Sequence, residues 1–567
     1  MKSMKKIFNT CLVLSVLLVA SCADITDVNE NPNGVDPNTV DPNFILSTVM
    51  TNAGKDVARK GYGDPLAAYV QHTQKDSWSS NDYDWDGSGW TTYYGVLRDA
   101  QLAYDRSVDL GWEFHQGVAM VMKAYMFGLL TDFYGDVPYT EALKGAEGGD
   151  NLFPKYDSQE SVYKSIIAEL EAASVMLSKD KTAYEGINPT QDIYFNGDPD
   201  KWMRFANSLT LRYYMRLSEK DPSYAGTGVT VTLSKPLISN IDEECSLSYI
   251  GVSESDSWPN NGINTTRSDF TRIKPCATFS YKLAELEDPR MHIWFAPIET
   301  PIKVTPANEM PGGPSVEDEI VDGVRYLNAA TMDAKGYKIY DPATWYNDRK
   351  IVGWTMIDTN SVYVGIPVSN QDTDPYTYNL NPIAERGGFN QHVSEMNEQF
   401  NNVSGANLKA RIFSAAEVHF LMAEAAVRGW GANAGAHYNA GIQASFDTWG
   451  IGDQAADYMD NDGVVFDDTL ERIMEQKWIA SFTAATEAYF DWRRTGFPDI
   501  QTGPFAKSTV IPVRFAYDDS DRFINNDNYN AALNSLEGTS HTEDVPGYGI
   551  DSPWSKNWLQ QGVNAPW

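Results

Sequence analysis

The sequence predicts a mainly α-helical protein in which helical pairs at both ends flank a large, loop-rich insertion that carries short strands. Apolar residues recur at helical spacing in several segments before about residue 225 and again after about residue 405. Between these positions Gly, Pro, Asn and Asp become more frequent and the apolar runs become shorter, which is typical of structured loops. Long loops on a rigid scaffold are a common place for a binding site.

The N-terminus has the pattern of an exported lipoprotein. Three lysines precede an apolar stretch from about residue 7 to 20, which is too short to span a bilayer. The stretch ends in Val-Ala-Ser-Cys at 19–22, which matches the lipobox of bacterial lipoproteins. We therefore predict a signal peptide over 1–21 and a lipid anchor on Cys22; the alternative is an ordinary secretory signal with a chance cysteine. Residues 22–42 are rich in Asp, Asn and Pro and predict a flexible tether, so we expect the folded body over 43–567.

The composition narrows the range of partners. The 567 residues include 77 Asp and Glu against 44 Lys and Arg, a formal net charge of −33. Such a charge repels phosphates, which weighs against a nucleic-acid binder and against adsorption to an anionic membrane. Hydrophobic residues make up 42% of the chain, so a large core is expected. Export permits a disulfide between Cys245 and Cys276, but two separate buried thiols are equally compatible with the sequence.

Several helices can be placed from spacing and from capping residues. Their apolar stripes are Phe114, Val118, Val121, Tyr125 and Leu129; Val162, Ile166 and Leu170; and Leu470, Met474, Trp478 and Phe482. Their start signals are Asp157 with Glu160, Asp468 with Glu471, Ser414 with Glu417, and Asp198 with Pro199. Within the insertion we predict one good helix near 276–287 and short strands over 229–233 and 362–364.

Residues 414–446 predict two helices joined by a Gly-rich turn. The positions that support this pair are Ala423, Gly429, Ala436, Tyr438, Gly441 and Phe446. They resemble a degenerate tetratricopeptide unit, in which small residues let paired helices pack closely.

An ordered set of local signatures runs along the chain. In addition to the lipobox they are NENPN (29–33), FYGDVPYTEAL (133–143), KWMRFANSLTLRYYMRL (201–217), EDPRM (287–291), ERIMEQKWIA (471–480), EAYFDWRRTGFP (487–498) and IPVRFAYDDSDRFINNDNYNAAL (511–533). Together they resemble the SusD/RagB family of outer-membrane nutrient-binding lipoproteins of Bacteroidota, in its SusD-like branch. The resemblance covers nearly all of the mature chain.

The resemblance implies a fold, a place and an activity. It implies a SusD-like α-superhelix, in which four tetratricopeptide-like helical pairs support a loop-rich face. It also implies a lipid-anchored protein at the outer membrane, facing the cell exterior and docked on a SusC-like TonB-dependent transporter. The loop face would capture an oligosaccharide or another nutrient and deliver it to the transporter without cleaving it.

Some residues in the signatures have a structural interpretation that does not depend on the family. Trp202 and Phe205 share one helical face and predict core residues. Arg493 and Arg494 lie close to Asp491 and predict an internal ion pair. We therefore expect the signatures to report the fold rather than the ligand site.

The segment SWSSNDYDWDGSGW at 77–90 is the first candidate for ligand contact. It alternates aromatic rings with polar side chains, and it is too polar for a core element. Sugars need flat apolar surfaces for their C–H faces and fixed polar groups for their hydroxyls. The resemblance places binding aromatics in a comparable N-terminal region. The candidate residues are Trp78, Asn81, Tyr83, Asp84 and Trp85, whereas Trp90 and Tyr94 are expected to seat the helix that follows.

Two further loops carry aromatic and polar residues in similar combinations. The loop at 256–267 supplies Trp258, Asn260 and Arg267, and the loop at 344–349 supplies Trp345 and Tyr346. We expect capture of a flat ligand if Trp78, Trp85, Trp258 and Trp345 converge on one open face, and a scaffold for the transporter if all four are buried.

The sequence does not call for a metal, a cofactor or catalysis. Asp82, Asp84 and Asp86, followed by Gly87, match the first half of a calcium loop, but Tyr93 stands where an EF-hand needs a glutamate. No HExxH, GxSxG or GxxxxGK[ST] motif is present. We expect a non-enzymatic binder without a cofactor. The alternatives are a binder of peptides or other nutrients, a scaffold for the transporter, or a glycoside hydrolase with paired carboxylates.

Overall fold

Helices dominate the computed structural model, which describes residues 36–63, 65–75, 89–259, 268–345, 353–368, 380–381, 390–504 and 506–563. The α-helices are α1 (Pro42–Ala58), α2 (Leu66–Tyr69), α3 (Thr91–Leu110), α4 (Glu113–Tyr134), α5 (Gln159–Met176), α6 (Pro199–Arg216), α7 (Pro222–Thr232), α8 (Ser268–Arg272), α9 (Ala277–Glu285), α10 (Arg290–Trp294), α11 (Pro342–Trp345), α12 (Ala415–Val427), α13 (Ala434–Thr448), α14 (Ala455–Met459), α15 (Leu470–Ala480), α16 (Ala485–Thr495), α17 (Asp519–Ile524) and α18 (Asn526–Leu533). None of the helices in these described ranges combines the length and hydropathy that crossing a bilayer requires.

The strands are short and form small sheets. They are β1 (Thr73–Lys75), β2 (Val137–Pro138), β3 (Tyr156–Asp157), β4 (Cys245–Ser248), β5 (Ile273–Pro275), β6 (Ile302–Thr305), β7 (Asp318–Val321), β8 (Val324–Asn328), β9 (Tyr337–Ile339), β10 (Thr355–Ile357) and β11 (Lys409–Phe413). The pairs β1–β5, β2–β3 and β4–β11 are antiparallel, and β9–β10 is parallel. The three-stranded sheet β6-β8-β7 packs on a small apolar cluster of the insertion.

The long helices pack in sequence order, which confirms the mainly helical fold. Helix α3 packs against α1 and α4, α4 against α5, and α5 against α6, while α12 packs against α13, α15 and α6. The three predicted apolar stripes lie on α4, on α5 and along α15, and apart from Leu470 their residues are buried.

Segments from opposite ends of the chain meet in this core. The Trp478 indole Nε1 donates a hydrogen bond to the Val70 carbonyl at 2.8 Å. The Phe515 N–H donates to the Phe133 carbonyl at 2.8 Å. Residues from Pro42 to Trp567 accordingly form one unit, preceded by a turn in which Asp36 accepts a hydrogen bond from the N–H of Asn38.

The helical pair predicted over 414–446 is present as α12 and α13. Gly441 of α13 faces the Phe420 ring of α12 so closely that a Cβ there would lie 2.9 Å from the ring. Any larger side chain at 441 would force the two helices apart. The small residue is therefore needed for the close packing that the sequence pattern indicates.

Two of the four predicted N-caps are confirmed and two are wrong by one residue. Asp198 caps α6 before Pro199, and Ser414 caps α12 by accepting from the Glu417 N–H at 3.1 Å. The caps of α5 and α15 are instead Ser158 and Thr469.

The displaced residues have other partners. The carboxylate of Asp157 accepts hydrogen bonds from the N–H groups of Tyr139 and Thr140, so it closes a loop rather than a helix. Asp468 has a left-handed backbone with φ of 60°, in contrast to the extended backbone of Thr469, which caps the helix.

The strand predicted over 229–233 is wrong, because these residues lie in and just after helix α7. Asp221 caps α7 and Pro222 follows it, which is a strong helix start. The hydroxyl groups of Thr230 and Thr232 donate back to carbonyls one turn earlier at 2.9 and 2.8 Å. These bonds and packing on α6 outweigh the β-propensity of the Val-Thr alternation.

The other predictions for the insertion have mixed outcomes. The helix near 276–287 is present as α9 (Ala277–Glu285). Residues 362–364 form no strand, because their backbone groups bond to irregular partners. The Val362 carbonyl accepts from the Ile298 N–H at 2.9 Å, and the Val364 N–H donates to Ser394 Oγ at 3.1 Å.

Cys245 and Cys276 are both free, buried thiols, so of the two arrangements that the sequence left open the structure has separate thiols. Burial raises the pKa of both thiols, which keeps them protonated at neutral pH.

A set of buried charges, the central ion network, ties the two helical ends together. Its members are Asp132, Arg212, Arg216, Glu417, Glu424, Lys477, Glu487, Asp491, Arg493 and Arg494. They lie on α4, α6, α12, α15 and α16, which come from distant parts of the chain. The ion pair predicted beside Asp491 is confirmed by its 3.0 Å contact with Arg494.

The geometry of the network shows why it can be buried. Glu417 accepts two hydrogen bonds of 2.8 Å from the Arg212 guanidinium. Arg216 contacts Asp132 at 3.1 Å and Glu487 at 2.6 Å. Bidentate, fully paired contacts are the arrangement in which buried ions are tolerated. The signatures KWMRFANSLTLRYYMRL and EAYFDWRRTGFP supply several of these residues, and they therefore report the fold, as predicted.

Candidate functional site

Most of the predicted ligand contacts lie outside the described residues. These are Trp78, Asn81, Tyr83, Asp84, Trp85, Asn260, Arg267 and Tyr346, together with the lipidation residue Cys22 and the aspartates Asp82 and Asp86 of the calcium-like pattern. Their roles stay predictions. The described residues contain no group of three His, Cys, Asp or Glu side chains that could hold a metal.

Trp258 is a core residue and offers no face to a ligand. Its side chain has 0% exposure, and its ring lies 5.0 Å from the Tyr62 ring and 5.6 Å from the Tyr249 ring. Its backbone N–H donates to the Val403 carbonyl at 2.7 Å. The expectation of a binding platform here is corrected, because the surrounding rings bury the indole completely.

Trp345 is buried in the same way, at 2% exposure. Its Nε1 donates to the Val368 carbonyl at 3.0 Å, and its ring packs edge-on against Tyr340 at 5.5 Å. The indole anchors the end of α11 to the neighbouring segment. Trp258 and Trp345 thus present no open face to a ligand, whereas Trp78 and Trp85, the other two rings of the criterion, lie outside the described residues.

Trp90 and Tyr94 seat the start of α3, as expected. The Trp90 ring packs 5.2 Å from Tyr134 and 5.9 Å from Tyr517, and the Tyr94 hydroxyl donates to the Pro138 carbonyl at 2.8 Å. The Trp90 N–H donates to Asp518 Oδ2 at 3.0 Å. The end of the 77–90 segment is thereby fixed against the C-terminal part of the chain.

A polar pocket of about 410 Å³ lies where these two segments meet. We call it the C-terminal pocket. It is lined by Gly89, Ala516, Tyr517, Asp518, Asp519, Arg522, Tyr529, Pro546, Gly547, Tyr548 and Asp551. Helix α17 forms one wall. The volume falls within the range of small-molecule sites.

Asp518 holds one side of the pocket together. Its Oδ1 caps α17 by accepting from the Ser520 N–H at 2.9 Å and from Ser520 Oγ at 2.6 Å. Its Oδ2 accepts from Trp90, and it lies close to Gly89, where a Cβ would stand 2.9 Å from that oxygen. Gly89 therefore allows the backbone to approach the carboxylate.

Asp551 holds the opposite side. Its carboxylate pairs with the buried Arg514 at 2.9 Å and accepts hydrogen bonds from the Tyr517 N–H at 3.1 Å and the Tyr529 hydroxyl at 3.0 Å. Burial, followed by the charge of Asp551, raises the pKa of Tyr529 above its usual value, so this phenol stays neutral. The wall is rigid because each group has a fixed partner.

The mouth of the pocket is exposed and chemically mixed. Asp519 and Arg522 are exposed and have room to contact a ligand. Next to them Phe523 is 80% exposed and Ile524 is 64% exposed. A neutral ligand with many hydroxyl groups fits such a lining, because it can donate to carboxylates, accept from a guanidinium and cover apolar surface.

Two of the three carboxylates that line the pocket are held by the surrounding structure. The carboxylate oxygens of Asp518 and Asp551 accept structural hydrogen bonds. This makes both residues poor candidates for a group that transfers a proton. Nearby, Ser508 and Asp544 both contact His541, but they do so at the same nitrogen, Nδ1, at 3.5 and 2.9 Å. A serine triad needs one partner at each imidazole nitrogen.

The sequence interpretation missed this pocket, although the signal was present. The run Tyr-Asp-Asp-Ser-Asp-Arg at 517–522 combines an aromatic ring with acidic and basic groups. This run belongs to one of the family signatures, which we expect to report the fold rather than the ligand site. Its neighbours in the pocket, Gly89 and residues 546–551, are distant along the chain.

The fold and the pocket define a class: a scaffold of packed helices that carries a polar surface pocket. The model of the SusD-like family, described as starch-binding associating with outer membrane, matches residues 34–318 and 362–518. The chain therefore belongs to the SusD/RagB family, as the ordered signatures predicted. No curated protein matches the sequence.

Solved structures support the same fold. A SusD homologue from Bacteroides fragilis has a TM-score of 0.67 at 21% identity, covering 92% of this chain and 99% of that chain. A chitin-binding SusD homologue from Flavobacterium johnsoniae has a TM-score of 0.62 at 20% identity, covering 93% and 98%. A SusD/RagB family protein from Bacteroides thetaiotaomicron has a TM-score of 0.62 at 20% identity, covering 93% and 100%.

Proposed function

We propose that the protein captures a nutrient glycan at the cell surface and passes it to a SusC-like TonB-dependent transporter without cleaving it. Membership of a family described as starch-binding associating with outer membrane supports this function. The observation that carries the location is the C-terminal pocket, whose lining suits a neutral, hydroxyl-rich ligand.

The ligand site in this proposal has two parts. The pocket supplies fixed carboxylates and the Arg522 guanidinium for sugar hydroxyls. The segment 77–90 ends at the pocket wall and supplies Trp78 and Trp85 as flat surfaces for the sugar faces. In the pocket, Asp518 and Asp551 are held by structural hydrogen bonds, which supports binding rather than hydrolysis.

Chito-oligosaccharides are a good first ligand to test, because one structural neighbour is described as chitin-binding. The starch-binding description of the family makes malto-oligosaccharides the second choice. A peptide panel tests the alternative ligand class, for which an acidic pocket with an apolar rim would favour basic peptides.

The lipid anchor and the transporter partner are part of the same proposal, and membership of the family supports the partner. Lipid on Cys22 would hold the acidic body at the outer surface, since its charge gives no attraction to an anionic membrane. The packed helices would form the docking surface for the transporter. A Cys22→Ser variant is expected to move from the membrane fraction to the soluble fraction; retention in the membrane would contradict the anchor.

The binding test uses the mature chain with Cys22→Ser, and measures affinity by native affinity electrophoresis and calorimetry. Arg522→Ala is expected to weaken glycan binding about tenfold or more, because one charge-assisted hydrogen bond is lost. Trp78→Ala and Trp85→Ala are expected to abolish retention.

The control is Arg98→Ala, at a guanidinium that is 74% exposed and does not line the pocket. Unchanged binding in all three site variants would refute the location. Release of reducing sugar by the purified protein would refute the non-catalytic function.

A further inference from the structure

A second cavity lies inside the scaffold, away from the residues that line the C-terminal pocket. It has a volume of about 30 Å³ and lies between β11, the end of α15 and the first turn of α16. This volume holds one or two water-sized particles. Its lining combines charged side chains, the start of a helix and apolar residues such as Val57 and Ile412.

Arg411 of β11 brings a positive charge to this cavity that lacks a counter-ion. Its side chain is buried at 7% exposure. The guanidinium donates to Thr483 Oγ1 at 3.2 Å and to the Asn407 carbonyl at 3.1 Å, and it lies over the Trp449 ring at 4.5 Å. Among the described residues, no carboxylate lies within 4.0 Å of it. Burial lowers the pKa of Arg411 to about 10, which leaves it charged at neutral pH.

The other ions that line the cavity are already neutralised. Glu417 is held by Arg212, and Glu487 contacts Arg216 at 2.6 Å. Lys477 pairs with Asp491 at 2.7 Å. Arg411 is therefore the one lining ion, among the described residues, that has no oppositely charged group within 4.0 Å.

Glu244 supports the Arg411 charge only from beyond ion-pair distance. Its Oε1 accepts hydrogen bonds from the Ala415 N–H at 2.9 Å and from Thr448 Oγ1 at 3.4 Å. These bonds hold the carboxylate in place, so it does not close onto the guanidinium.

The start of α16 adds donors to the same cavity. Ala484 occupies the N-cap position and offers no side-chain acceptor, and the first-turn N–H groups of any helix have no acceptor within the helix. Thr486 is 5% exposed, and its buried Oγ1 has no hydrogen-bond partner. Arg411, Thr486 and the start of α16 thus all line one small space.

We propose that this cavity binds a small monovalent anion with the size and charge of chloride. The anion would neutralise the charge of Arg411 and accept a hydrogen bond from the Thr486 hydroxyl. It would lie at the positive end of the α16 dipole. Polyatomic anions such as sulfate are too large for about 30 Å³. Water is the competing occupant. The site is separate from nutrient binding and would fasten β11 to α16 within the scaffold.

The first test measures thermal unfolding of the mature protein in sodium chloride and in sodium gluconate at equal ionic strength. Gluconate is too large for the cavity. The expected Tm is higher in chloride by on the order of 2 °C. Thr486→Val is expected to remove this difference, and Thr486→Ser, which keeps the hydroxyl, is expected to retain it.

Arg411→Met should also remove the halide response. The matched control is Arg325→Met, at an arginine that is paired with Asp318 at 2.7 Å in the insertion; this variant should keep the response. Equal Tm values in the two salts for the parent protein would overturn the proposal.

A crystal grown in sodium bromide gives a direct answer that does not depend on the variants folding. An anomalous peak is expected in the cavity, within hydrogen-bond distance of the Arg411 guanidinium and Thr486 Oγ1. Ordered water at that position with no anomalous signal would overturn the proposal.

Discussion

The central ion network and the C-terminal pocket use the same residue types in opposite ways. In the network each carboxylate lies against a guanidinium or an ammonium group, and the side chains of Arg216 and Asp132 are 2% and 1% exposed. At the pocket mouth Asp519 and Arg522 are exposed, and only the wall residue Asp551 is tied to an arginine. Charges that are paired internally hold the fold, whereas charges left open to solvent remain available to a ligand.

This difference explains why the family signatures do not indicate the candidate ligand site. The sequence alone does not show whether an Arg or Asp is paired, because the partner is contributed by another segment. Burial determines the role of each charge. Removing one partner of a buried ion pair lowers the free energy of unfolding strongly, whereas replacing an exposed charge changes it little.

The largest expected effect is the loss of a network cation. Arg216→Met leaves Asp132 and Glu487 buried with less compensation and should lower the free energy of unfolding by about 3–5 kcal/mol. Urea denaturation followed by circular dichroism measures it. Arg98→Met, at the surface, should cost less than about 0.5 kcal/mol. A loss below about 1 kcal/mol for Arg216→Met would contradict the structural role of the paired charges.

Acid should weaken the network through Asp491. Burial raises the pKa of Asp491, but Lys477 and Arg494 outweigh it and lower that pKa to about 2, from 3.8. Because the pKa of Asp491 is lower in the folded protein, its ionised carboxylate adds to the free energy of unfolding above about pH 4. This added stability is lost as the pH falls towards 2. It amounts to about 2 kcal/mol.

Urea unfolding between pH 5 and 2.5 tests this effect against Asp491→Asn. The variant should lose stability at pH 5 and should lose less on acidification than the parent protein. Parallel pH profiles for the two proteins would contradict the assignment to Asp491.

The smallest expected effect is at the pocket mouth. Arg522→Ala should change the free energy of unfolding by less than about 0.5 kcal/mol, because the side chain is exposed. Arg514→Ala, at the buried partner of Asp551, should cost several times more. Thermal unfolding of the two variants sharpens the distinction; similar losses for both would show that the mouth is structural.

The fold was largely predictable because its main signals are local. The stripes on α4, α5 and α15, the α12–α13 pair and the cap at Asp198 depend on residues within one helix or turn. The strand predicted over 229–233 is wrong, because packing on α6 favours a helix there. Hydrogen bonds from the threonine hydroxyls to carbonyls one turn earlier also outweigh the propensity of Val and Thr for strands.

The site was less predictable because it is assembled from distant segments. Trp258 and Trp345 looked like loop aromatics, yet the rings that bury them are remote in sequence, such as Tyr62 for Trp258. The C-terminal pocket likewise joins Gly89 to residues 516–551. A single sequence gives residue types, but it does not give the neighbours that bury some rings and expose others.

The hydrogen bonds between Val70 and Trp478, and between Phe133 and Phe515, have a consequence for how the chain reaches its native state. Partners separated by about 400 residues cannot meet until most of the polypeptide has been synthesised. High contact order of this kind slows folding and leaves apolar surfaces uncovered in the meantime. Chains truncated before α15 should therefore aggregate or be degraded, and dependence on chaperones is expected to be strong.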